Sequence, residues 1–268
     1  LAAAGKGTDV YLFLIGMMLL SEVARQEGLF DLLATHAVLQ AKGSAKRLFL
    51  IVYAVGTVVT VFLSNDATAV VLTPAVYAAA TAARVEPLPY LFICAFIANA
   101  ASFVLPISNP ANLVIFGAHM PPLGLWLYHF LLPSAAAILV TYAALRFMQR
   151  EALNQKIATD LVTQPLSIGG KCVAIGIGLT AVALLAASAL DWQLGLPTFV
   201  AGAAVTVIVL AISRESPLPV LRDVSWGVLP LVAGLFILVE GVEQTGILQV
   251  MARMLREAAA VSPQGTAV

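Results

Sequence analysis

Long apolar runs separated by short polar joints set the rhythm of this chain. A helix needs about 20 mostly apolar residues to cross a bilayer, and runs of that order recur at 9–25, 123–147, 170–190, 194–213 and 224–242. Two further runs are interrupted. Residues 48–83 are broken at Ser64, Asn65 and Asp66, and 88–105 continues into 113–120 across a Pro- and Asn-rich joint. Each arm of 48–83, about 16 residues, is short for a crossing, which predicts a re-entrant helix–turn–helix hairpin. Residues 28–42 are apolar at helical spacing but shorter still. They read as an interfacial amphipathic helix joining the first span to the hairpin, with His36 at the interface.

Composition places these helices in a membrane. Of 268 residues, 61% are hydrophobic and 10% charged, whereas soluble domains carry about a quarter charged residues. The expected fold class is therefore an all-α polytopic membrane protein. Fourteen basic and fourteen acidic residues cancel, leaving no basic patch for nucleic acid. Cys94 and Cys172 lie in apolar segments without metal-ligand spacing and read as small core residues. His36, His119 and His129 are scattered, and no H-E-x-x-H, G-x-S-x-G or Walker pattern occurs. No enzyme, metal or cofactor is indicated. With 48–83 as a hairpin, all basic residues except Lys6, Arg253 and Arg256 fall on one face, which should be cytoplasmic.

Two stretches resemble each other, "LIGMMLLSEVARQEGLFDLLA" (14–34) and "LVAGLFILVEGVEQTGILQVMA" (231–252). At one constant offset Gly16 aligns with Gly234, Glu22 with Glu240 and Gly28 with Gly246. The topology above runs the copies in opposite directions, as in the inverted-topology repeats of secondary transporters. Residues 1–147 form the first repeat, 148–169 a cytoplasmic linker and 170–268 an incomplete second repeat. The counterpart of Ser64 would fall beyond Val268, so the chain is expected to be part of a longer protein. Glu22 and Glu240 sit near span ends and read as interfacial.

The interruptions are the candidate site. In "FVLPISNPANLVIFG" (103–117), Pro106 disfavours continuing the preceding helix, Ser108 or Asn109 can cap a new one, and Pro110 falls at its first position. In "TVFLSNDATAVVLTP" (60–74), Ser64 or Asn65 caps and Asp66 lies in the first turn. Helix N-termini expose unpaired N–H groups and a positive dipole end. Irregular backbone at membrane depth is tolerated only inside protein or beside water. Ser64, Asn65, Ser108, Asn109 and Asn112, with Asn99 and Ser102 sharing a helical face, are therefore expected to line a midplane cavity. Asp66, an ionisable group at depth, is the candidate proton carrier. Burial and the helix N-terminus pull its titration in opposite directions. Thr68 and Thr73 are read as bonding their own backbone.

"FLSNDATAVVLTP" and "AFIANAASFVLPISNPANLVIFG", with "DVSWGVLPLVAGLFILVEG" at 223–241, resemble the signatures of arsenite/antimonite efflux permeases, the arsenical pump membrane proteins of the ion-transporter superfamily. The resemblance covers most of the chain. It implies export of arsenite or antimonite against inward proton flow, across a bacterial or archaeal cytoplasmic (inner) membrane. In some members a soluble ATPase is a partner, and a homodimer is compatible with the sequence. Asn65 and Asp66 carry over from the hairpin motif, and Ser108, Asn109 and Asn112 from the broken helix. The sequence departs at Asn99, where those permeases carry an acidic residue, so a carried proton falls to Asp66 or to the missing half. A sodium-coupled dicarboxylate or citrate symporter and a sodium/proton antiporter of the same superfamily are the alternatives. The tips here read Ser-Asn-Asp and Ser-Asn-Pro rather than those symporters' Ser-Asn-Thr. A more distant alternative is an aquaporin-like channel, because "NPA" occurs at 109–111, but once only and followed by Asn112.

Overall fold

The computed structural model describes residues 7–116, 120–158, 165–190, 192–245 and 253–254. The described chain is almost wholly helical. By length and composition, Ala45–Phe62, Leu123–Met148, Ile168–Ala189, Gly195–Ser213 and the stretch Pro217–Leu238 are each able to cross a membrane. The chain forms two compact units, one of residues 9–224 and one of residues 1–8 with 225–268.

In the larger unit, α1 (Thr8–Gln26) follows the first predicted span. Its charged ends are satisfied locally. Asp9 Oδ1 accepts the Gly195 N–H at 2.8 Å, at the start of α9 (Gly195–Ser213). At the other end Arg25 grips Glu22 with two nitrogens, at 3.0 and 2.5 Å, and reaches Asp223 at 3.0 Å. Between these ends the backbones of α1 and α9 touch. A Cβ on Gly16 would lie 2.3 Å from Thr198 O, and one on Gly202 would lie 2.3 Å from Gly16 O. Small residues allow helices this close without the hydrophobic drive that water supplies. α9 also packs along α8 (Ile168–Ala189). The short α10 (Pro217–Asp223), capped by Ser216, precedes the point where a helix was expected at 224. The remainder of that predicted span lies in the smaller unit as α11 (Val228–Gln244), where the Phe236 ring covers Gly7. Of the proposed repeat pair, Gly246 and the side chain of Glu240 lie outside the described residues.

The interfacial helix is present as α2 (Leu29–Gln40), with Phe30, Ala34, Ala37 and Val38 buried and His36 exposed. The hairpin begins three residues earlier than its apolar run, because Ser44 caps α3 (Ala45–Phe62) through the Arg47 N–H. At 18 residues α3 is long enough to cross, so the premise of two short arms holds only for the second. The chain nonetheless doubles back. A small void is lined together by Leu48 and Val52 of the first arm, by Val76, Ala79 and Ala80 of the second, and by Ala34 and Val38 of α2. The two bases are strapped to one short segment: Ile157 N–H donates to Gly43 O at 3.2 Å, and Ala158 N–H to Ala83 O at 2.9 Å.

α7 (Leu123–Met148) runs beside this assembly, and only Trp126, Ser134 and Leu145 of its 26 residues are buried. Its exposed Leu131, Leu132, Leu139 and Val140 form the surface expected against lipid. Tyr53 O–H ties α3 to Ile138 O on α7 at 2.6 Å. Cys94 is fully buried as expected, whereas Cys172 is only partly covered.

Candidate functional site

The first break is built from strain and a widened turn. α3 ends at Phe62, and Ser64 adopts φ 140°, a region that L side chains rarely occupy. Its hydroxyl accepts the Ala67 N–H at a long 3.4 Å, so Ser64 is the cap and Asn65 and Asp66, both half-buried, form the first turn. Ala67–Leu72 then winds as a π-helix before α4 (Thr73–Ala82). The cause is Pro74, which has no N–H and whose ring crowds the carbonyl four residues back. A π turn opens that space, and the Thr73 hydroxyl donates to Thr68 O at 3.0 Å in place of an amide. Thr68 is wholly buried and its Oγ1 lies 2.8 Å from Thr60 Oγ1. Thr60 gives its own proton to Gly56 O at 2.8 Å, so Thr68 is the donor between them. This directed pair of hydroxyls holds the two arms together just below the tip.

The second break is wider than the position of Pro106 predicts and is stapled by side chains. α5 (Leu88–Ala100) stops six residues short of that proline, and a turn, the 3₁₀ segment Pro106–Ser108 and α6 (Pro110–Phe116) follow. Helix ends leave carbonyls without donors, and at membrane depth each one needs a partner. Asn112, wholly buried, donates from Nδ2 to Ser102 O at 3.0 Å, Pro106 O at 3.2 Å and Leu105 O at 3.5 Å. Trp126 Nε1 donates to Phe103 O at 3.0 Å. Asn109 caps α6, accepting the Ala111 N–H at 2.9 Å, and donates to Ser102 Oγ at 3.2 Å. Ser102 passes its own proton to Ala98 O at 2.6 Å.

The two breaks meet at one hydrogen bond. Ser108 Oγ donates to Val61 O at 3.0 Å, filling a carbonyl freed where α3 ends, and accepts the Leu105 N–H at 3.1 Å. Ser64, Asn65, Ser102, Ser108, Asn109 and Asn112 therefore belong to two joined discontinuities. Asn99 does not share their setting, because it is exposed and bonds only Ala95 O, one turn back on its own helix. Two acceptors are left over: Asn65 Oδ1 and Asn112 Oδ1 are buried and receive no hydrogen bond. For Asn112 the oxygen assignment is secure, since its nitrogen faces carbonyls that can only accept. Among the described residues no buried side-chain nitrogen is left without a partner. Sequence reasoning did not find Thr60 or Trp126, since a threonine in an apolar helix and a tryptophan at a helix start carry no spacing signal.

Comparison with known proteins matches this chain to transporters. Residues 1–268 match the family described as CitMHS, citrate transporter. An uncharacterized transporter of Mycobacterium tuberculosis is 28% identical over 267 residues, covering 95% of this chain and 60% of that protein. Arsenical pump membrane proteins of Yersinia enterocolitica and Escherichia coli are 26% and 25% identical over 251 residues, each match covering 90% of this chain and 58% of the relative. The chain thus spans about 60% of the length of the curated relatives it matches. With apolar helices long enough to cross a bilayer and a match over its whole length, the chain belongs to the CitMHS citrate-transporter family, a family of multi-pass membrane transporters rather than enzymes.

Proposed function

We propose that the two breaks are half of the substrate site of a secondary transporter that exports arsenite or antimonite in exchange for protons. The observation that carries this reading is the sign of the unmet hydrogen bonds. Asn65 Oδ1 and Asn112 Oδ1 need donors, and the only Lys or Arg between Leu48 and Leu145 is Arg84. Citrate near pH 7 presents three carboxylates, which only accept, and a single hydroxyl, so it could satisfy at most one of these oxygens. Arsenous acid is neutral near pH 7 and its hydroxyls all donate. The arsenical pump membrane proteins of Yersinia and Escherichia, to which the chain is similar, support the same substrate class. In this reading Ser64, Asn65, Ser102, Asn109 and Asn112 line the polar half-site, and Ser108 joins the two tips. Asn99 lies on the face left open, and Asp66 exchanges the proton.

The topology belongs to the same proposal. The hairpin is re-entrant, supported by its two bases sharing the strap at Ile157 and Ala158. The inverted repeat supplies a second half-site, and the basic face lies in the cytoplasm of a bacterium or archaeon, where a soluble ATPase or a second copy of the chain can dock.

The family description favours a second reading, citrate transport, which the sodium-coupled symporter alternative would carry out. Everted membrane vesicles carrying the protein separate the two. Arsenite or antimonite accumulation driven by a pH gradient with the vesicle lumen acid is expected, with coupling lost in Asp66→Asn. Sodium-dependent citrate uptake without arsenite movement would overturn the proposal, and undiminished proton coupling in Asp66→Asn would remove that residue's role.

A further inference from the structure

We propose that Trp126 is a positioning residue for the second break, setting its width from outside through the indole N–H. This inference rests on the break being part of the substrate site, as proposed above. Trp126 stands apart from the rest of its helix. Tyr128, two residues on, is 81% exposed as a lipid- or interface-facing aromatic would be, whereas Trp126 is 0% exposed. It is therefore not one of the amphipathic anchors that tryptophans commonly form at membrane surfaces.

What it touches lies on both sides of the discontinuity. The indole N–H holds Phe103 O, a carbonyl released where α5 unwinds. The Phe103 ring stacks over the indole at 6.4 Å and 10°, and the Phe116 ring, at the far end of α6, meets it edge-on at 5.2 Å and 70°. Phe130, one turn along α7, packs at 4.4 Å from the indole and touches both phenylalanines. Between Phe103 and Phe116 lie Ser108, Asn109 and Asn112. One tryptophan thus braces the chain where it enters the break and where it leaves, and Asn112 braces it from within. The ring supplies bulk that other aromatics could match. Only the N–H supplies a fixed partner for Phe103 O, and such a partner is what keeps non-helical backbone stable away from water.

The test removes the donor and keeps the shape. In Trp126→Phe, and in a variant carrying the benzothienyl isostere of tryptophan at 126, amide hydrogen exchange is followed on the purified protein. The expected result is exchange faster by about tenfold or more over residues 101–108, with α8 and α9 unchanged. The isostere matters because it shares the indole outline, so a packing role alone would leave its exchange as in the parent. Unchanged exchange at 101–108 in the isostere variant, or a uniform rise along the whole chain, would overturn the proposal. Transport of the substrate carried by the parent protein is read in parallel. A KM raised about tenfold with little change in kcat is expected, the size of one lost buried hydrogen bond, and an unchanged KM would also overturn the proposal. A parent protein that moves neither arsenite nor citrate would defeat the substrate-site reading instead, leaving the exchange result to decide on Trp126.

Discussion

The two breaks use the same residue pair, Ser-Asn, and hold it in opposite ways. At the second break Asn112, Asn109, Ser102, Ser108 and Trp126 give the freed backbone side-chain partners from several directions. At the first, a serine sits at φ 140°, its capping bond is 3.4 Å long, and a π turn follows. One break is rigid through side-chain staples, while the other is compact and strained. Residues kept in rare backbone conformations cluster at switch and ligand-clamping sites. On the proposed reading, the hairpin tip is then the part expected to respond to ligand and the Pro106–Pro110 joint the surface it works against.

Four substitutions break or sharpen that contrast. Asn112→Ala has the largest expected effect. It strips donors from Ser102 O and Pro106 O at depth, and each buried carbonyl left bare costs about 1–3 kcal/mol. The thermal transition in detergent should fall sharply, or the folded protein should be lost. Asn65→Ala under the same measurement should leave stability nearly intact, and equal losses at the two sites would erase the distinction. Ser64→Gly comes next and has the opposite sign. Glycine accepts φ 140° without penalty, so relief of roughly 1 kcal/mol outweighs the weak cap and the melting temperature should rise. Transport should fall, because the clamp is no longer held under tension; a destabilised Ser64→Gly protein would mean the serine is not strained. Asn99→Ala should be smallest, within about 0.5 kcal/mol, as for other exposed positions. A large loss of stability there would bring Asn99 into the stapled network after all.

The same contrast explains what could be read in advance. The break at Ser64 to Asp66 and the restart at Asn109-Pro110 were legible because caps and prolines act on their own backbone within a few residues. The convergence of Ser108 and Asn112 on one site followed from the demand that backbone at depth be satisfied. What those side chains do there was not legible. Asn112 was expected to face ligand, yet its nitrogen is spent on three carbonyls and only its oxygen remains free. Either Ser108 or Asn109 was expected to cap; Asn109 does so, and Ser108 crosses to Val61. Such partners lie far apart in sequence, and local pattern carries no record of them. The start of α3 was misjudged for a different reason. Ala45, Lys46 and Arg47 are too polar on average to extend an apolar run, but Ser44 caps a helix through them. Glu22 of α1 likewise read as a simple interfacial group, whereas it is buried and held by Arg25 and Gln26 of its own helix.

The strap across the hairpin base carries a consequence for biogenesis. Gly43 and Ala83 are buckled together by Ile157 and Ala158, which the ribosome adds only after all of α5 to α7 has been made. During synthesis, then, the first hairpin stays unfastened at its base until Ile157 and Ala158 are added. A nascent chain stopped before Lys156 should be cut by protease near Arg84, whereas one extended past Ala158 should be protected. The order of translation thus decides when the base of this hairpin is fastened.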